Sequence, residues 1–143
     1  MTMRSSDSLR NARGAARTTL ADAGAGAAVL KIYAGAKPTT KGGPPTGDLL
    51  VTFEMGSPIA GAPSGGVWTA NSVSAVLADA AGVPGFAELR ASDGTFVEDY
   101  DARLSTATDN GEEVVVSIDG GGTSVATGAT VSLTLFSITA GNA

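Results

Sequence analysis

The chain contains no cysteine and no histidine. Without cysteine there is no disulfide framework, no thiolate metal site and no cysteine nucleophile. Without histidine the usual general base, the commonest zinc ligand and the Ser-His-Asp arrangement disappear together. Aromatic residues are scarce, with one Trp, two Tyr and four Phe among 143 residues. Little is therefore available to line a sugar groove or to stack single-stranded bases. No run of about 18 apolar residues occurs, so no membrane-spanning helix is expected. The Arg- and Ala-rich start lacks the continuous apolar core of a secretory signal and is read as part of the mature protein.

What is present is small and turn-forming. Twenty Gly, six Pro and many Ala, Thr and Ser residues suit short strands joined by frequent turns around a core of small side chains. The length fits one body with a real core. The cleanest signal is Thr130–Thr139, read T-V-S-L-T-L-F-S-I-T. Simple alternation places Val131, Leu133 and Leu135 on one side and Ser132, Thr134, Phe136 and Ile138 on the other.

Two parts follow from the pattern: residues 1–24 as a basic helical arm and residues 25–143 as the body. Ser5, Ser6 and Asp7 offer N-caps for a helix over 9–23. Leu9, Ala16 and Leu20 fall on one stripe of it, beside Arg10, Arg13 and Arg17. A helix this short is marginal alone and is expected to be ordered when docked. In the body, strands are expected over 28–34, 48–55, 67–69 and, weakly, 72–78. A hairpin on Ser92-Asp93-Gly94 joins 86–91 to 95–104, and 114–118 and 130–139 close the chain. These seven or eight short strands at even spacing predict an all-β fold, a β-sandwich of antiparallel strands, with a distorted barrel as the other architecture. Trp68 is expected to anchor the core.

Charge is uneven. The first 22 residues carry Arg4, Arg10, Arg13 and Arg17 against Asp7 and Asp22, a balance of +2, while the whole chain stands at −5, leaving −7 for the remainder. Such an arm is expected to seek an acidic surface, a neighbouring copy included, with Leu9 and Leu20 docking beside the arginines. The Pro- and Gly-punctuated loop over 35–47, with Lys37 and Lys41, is a second candidate contact. Glu98, Asp99, Asp101, Asp109, Glu112 and Glu113 are the only candidates for cation ligands, but their spacing does not match an EF-hand loop. Strand-edge charges and Asx turns account for them. G-A-G-A-A-V at Gly24 to Val29 lies after a helix and before a strand, the reverse of the order in a dinucleotide site. No catalytic, cofactor or metal site is expected, and the acidic body disfavours nucleic acid.

Three stretches in order, S-S-D-S-L-R-N-A-R from Ser5, V-L-K-I-Y-A-G-A-K-P from Val29 and G-A-T-V-S-L-T-L-F-S-I-T-A-G-N from Gly128, resemble a family of small virion proteins of tailed bacteriophages and prophages. P-T-G-D-L-L-V-T-F and G-F-A-E-L-R-A-S-D-G-T fit the same pattern, while E-D-Y-D-A-R at Glu98 departs from it. The resemblance implies a non-enzymatic structural protein made in the bacterial host cytoplasm and carried in the virion. As a capsid cement or decoration protein it would sit on the capsid exterior and contact the major capsid protein and copies of itself. A tail, head-tail junction or fibre-base component is the other placement.

Overall fold

The structure, a computed structural model, describes residues 4–140; residues 1–3 and 141–143, the outer ends of the expected arm and body, lie outside it. It consists of one helix, α1 (Asp7–Ala21), and eight strands: β1 (Val29–Ala34), β2 (Leu49–Glu54), β3 (Val67–Thr69), β4 (Val76–Leu77), β5 (Pro84–Arg90), β6 (Phe96–Leu104), β7 (Val114–Ile118) and β8 (Thr130–Thr139). The strands form one sheet in the order β2-β1-β5-β6-β7-β8-β3, with β4 also on β8. The sheet curls: the Asp79 amide, just past β4, donates to Leu50 O of β2 at 2.7 Å, so β2 at one end of the order approaches β4, which pairs with β8 near the other end.

The sheet is mixed, which corrects the expectation of purely antiparallel pairing. β6 and β7 run parallel over Ala102–Val114, Arg103–Val115 and Leu104–Val116. Parallel neighbours ordinarily need a long crossover, but a pairing this short requires the chain to travel back only a few residues. Arg103 holds the return loop in place. Its Nη1 donates to Leu104 O at 3.2 Å and Ala107 O at 3.4 Å, and it pairs with Asp109 at 3.5 Å and Glu112 at 3.1 Å.

β8 departs from simple alternation. Val115 pairs with Leu135 and Val116 with Leu133, which leaves Thr134 as the extra residue of a bulge. The Thr134 hydroxyl donates to Val115 O at 2.9 Å. Two residues opposite one shift the phase of the strand, so Val131 lies in the core before the bulge and Phe136 after it, while Leu135 is 42% exposed. Phe136 then meets Trp68 and Tyr100 edge-on, both with ring centroids 5.0 Å away. Beyond the area it buries, each such pair contributes about 0.5–1.5 kcal/mol.

The core is continuous, drawing on Leu30 and Ile32 of β1, Val51 and Phe53 of β2, Leu89 of β5, Val114 and Val116 of β7, and Val131 and Phe136 of β8. Of the weak run over 72–78 only Val76–Leu77 pairs as strand. The Asp93 turn joins β5 to β6 as expected, with the Asp93 carboxylate accepting from the Thr95 amide at 2.9 Å. On the outer side of β1 and β5, Tyr33 stacks on Phe86 at 4.9 Å and Glu88 pairs with Arg90.

Candidate interaction surface

α1 begins at Ser6, whose hydroxyl accepts from the Leu9 amide at 3.2 Å, and carries Asp7 in its first turn. It is built inside out. At about 100° per residue, Asn11, Gly14, Thr18 and Ala21 share one side, while Leu9, Arg13, Ala16 and Leu20 share the opposite side. The polar and small side faces the body. Gly14 is buried against Pro63 and Trp68, the Thr18 hydroxyl accepts from the Trp68 indole at 2.8 Å, and the Asn11 amide oxygen accepts from the Gly66 amide at 2.8 Å. Just past the helix, the Asp22 carboxylate accepts from the Ile59 amide at 3.2 Å. Directional bonds, rather than an apolar face, fix the helix against Trp68 of β3 and Glu98 of β6.

The seven residues singled out in the sequence divide accordingly. Arg10 is committed within the chain, donating to Ala140 O at 3.1 Å and pairing with Asp7 at 3.1 Å. Arg17 pairs with Glu98 of β6 at 2.6 Å and lies 5.2 Å over the Trp68 ring. Burial works against the Arg17 charge, and the hydrogen bond and charge of Glu98 outweigh it, so its pKa stands above the ordinary value. Glu98 is 42% exposed, and solvent holds the worth of this pair to about 1 kcal/mol. Beneath it the Tyr100 hydroxyl is pushed far up, first by burial and then by the Glu98 carboxylate. Arg13 is exposed and, among the described residues, forms no ion pair. Leu9 is 48% and Leu20 59% exposed.

Lys37 and Lys41 lie apart from this surface on the loop over 35–47. Lys37 pairs with Asp101 at 3.1 Å. The loop also passes over the outer face of the sheet, where Gly42 lies against Phe96, and Lys41 is exposed. The acidic residues are spread over separate partners: Glu98 on Arg17, Asp101 on Lys37, Asp109 and Glu112 on Arg103. Among the described residues no three of His, Cys, Asp and Glu gather where an ion could sit. The Asn110 amide donates to Glu112 at 2.9 Å and, with Arg103 nearby, holds that carboxyl below its ordinary range.

A depression of about 140 Å³ lies between the helix and β6, lined by Arg13, Ala16, Arg17, Leu20, Val97 and Glu98. It continues the exposed stripe onto the sheet. Sequence reasoning did not find Asn11, Thr18 and Glu98 as the groups that fix the helix. The spacing of Asn11, Gly14 and Thr18 along one side was the available signal. No protein-family model, curated protein or solved structure matches the chain.

Proposed function

We propose that the protein is a non-enzymatic structural subunit of a tailed-bacteriophage virion, a capsid cement or decoration protein that sits on the capsid exterior and stabilises the shell. The observation that carries this reading is the outward stripe of Leu9, Arg13, Ala16 and Leu20 on a helix whose other side is bonded to the body. A helix already fixed on the body loses little further backbone freedom when a partner covers its outer side. The ordered phrases at Ser5, Val29 and Gly128 support the phage assignment by resemblance. Contacts to the major capsid protein and to neighbouring copies would each be weak, and many copies on a closed lattice make weak contacts sufficient.

The finer architecture belongs to the same reading. We take the curled sheet as a β-sandwich whose two ends face one another across the core, supported by the single apolar cluster that both ends share. Such a body is a rigid spacer between capsomers.

The test is incubation of the purified protein with phage capsids lacking it, followed by sedimentation and quantitative mass spectrometry of the bound fraction. Binding in a stoichiometry comparable to the capsomers, with a raised temperature of capsid disruption, is the expected result. A bound amount equal to a small ring multiple per particle would move the protein to the tail or head-tail junction. No binding to shells or tails would end the virion reading.

A further inference from the structure

The exposed stripe of α1 is spaced as Leu9, Arg13, Ala16 and Leu20, and a two-fold axis between residues 14 and 15 maps it onto itself. Leu9 then faces Leu20 of a second copy, and Arg13 faces Ala16. Large side chains meet one another at the ends, and at the centre a long side chain lies over a small one, as a self-complementary two-fold contact requires. Charge is complementary as well. Ala16 and Leu20 border the depression that also contains Glu98. Glu98 keeps 42% of its side chain exposed, and its Oε2 accepts from Arg17 only at 3.4 Å. Arg13, the helix arginine without a carboxylate among the described residues, would reach Glu98 of the second copy across that depression, and the symmetry supplies the same pair twice.

We infer that this face of α1 is a two-fold self-association surface, in which antiparallel helices from two copies pack Leu9 on Leu20 and Arg13 pairs with Glu98 of the other copy. The inference rests on the reading of the chain as an assembling structural subunit, naming the partner of its exposed stripe. The contact is about 22 Å long at most for a 15-residue helix, so the association is modest and depends on concentration.

Sedimentation equilibrium of the purified full chain tests it without any particle. The weight-average mass is expected to rise from 14.0 kDa towards twice that value with increasing protein. Arg13→Glu and Leu20→Asp, both at exposed positions, should each weaken association about tenfold or more. Far-UV circular dichroism and Trp68 emission check that both variants remain folded. Because the chain has no native cysteine, the geometry is read separately from an equimolar mixture of Leu9→Cys and Leu20→Cys under mild oxidation. The mixed disulfide should exceed either homodimer. A constant monomer mass at every concentration, unchanged association in both charge variants, or a predominance of the Leu9→Cys homodimer would overturn the inference. A monomer that still binds capsids would leave the cement reading standing, whereas a dimer that binds no virion component would remove that reading and keep the surface.

Discussion

At the scale of single residues, Gly14 decides how closely the helix approaches the body. Its backbone is helical, so what matters is space and not a special dihedral. A Cβ there would lie 2.7 Å from Pro63 Cγ and 3.2 Å from Trp68 Cβ. In an open helix, alanine is favoured over glycine by about 1 kcal/mol. Here the added methyl must displace a proline ring and the backbone-proximal part of a buried tryptophan, and overpacking of that kind costs about 1–3 kcal/mol. Gly14→Ala is therefore expected to lower stability by about 1 kcal/mol in urea denaturation followed by Trp68 emission. A variant more stable than the parent would show that the helix is not seated in this notch. The same notch explains why the helix could not be oriented from amphipathicity. Its inner side gains little from apolar area and relies on Asn11, Thr18 and Arg17 making directional contacts with groups distant in sequence.

At the scale of elements, the strands themselves were legible, because β-branched runs bounded by Gly, Pro and Asp leave few alternatives. β3, β7 and β8 have the bounds the pattern predicts, and the Asp93 hairpin forms. The pairing between elements was less legible. Strand direction depends on the path of the return loop, and the Arg103 contacts that accompany the parallel β6–β7 pair tie the end of β6 to Asp109 and Glu112 within that loop. The bulge at Thr134 was hidden for a related reason: an inserted residue is defined by the partner strand, not by its own side chain. It breaks a specific expectation. Simple alternation puts Val131 and Phe136 on opposite sides and Leu135 beside Val131, but the structure buries both Val131 and Phe136, the latter at 3% exposure, and leaves Leu135 at 42%. Phe136→Ala should cost about 3–5 kcal/mol. Leu135→Ala should change stability by roughly 0.5 kcal/mol or less. Equal losses, or a larger loss for Leu135→Ala, would place the bulge elsewhere.

At the scale of the whole molecule, the helix and the sheet share one set of contacts. α1 bridges to β6 through Glu98, to β3 through Trp68, and to the end of β8 through Ala140 O. Heating or urea should then abolish helical circular dichroism and the buried emission of Trp68 in one coincident transition. A helical signal lost well before the Trp68 change would make the helix an arm that unfolds apart from the body. The acid response of this body follows from its composition and its turns. With no histidine, no side chain of ordinary pKa titrates between about pH 6 and pH 8, and the unfolding midpoint should be level there. At lower pH, two turn carboxyls matter. Asp93 is held below its ordinary pKa by the Thr95 amide, and Glu112 by the Asn110 amide. The unfolded chain regains ordinary carboxyls, so in acid it binds more protons than the folded one. The stability these groups contribute is present above their unfolded values, near pH 4, and is lost as pH falls through the depressed folded values. The urea midpoint should accordingly drop below about pH 4, and the double substitution Asp93→Asn with Glu112→Gln should flatten that limb while leaving the neutral plateau level. An unchanged acid slope in the double variant would assign the acid sensitivity to other carboxylates and not to these two turns.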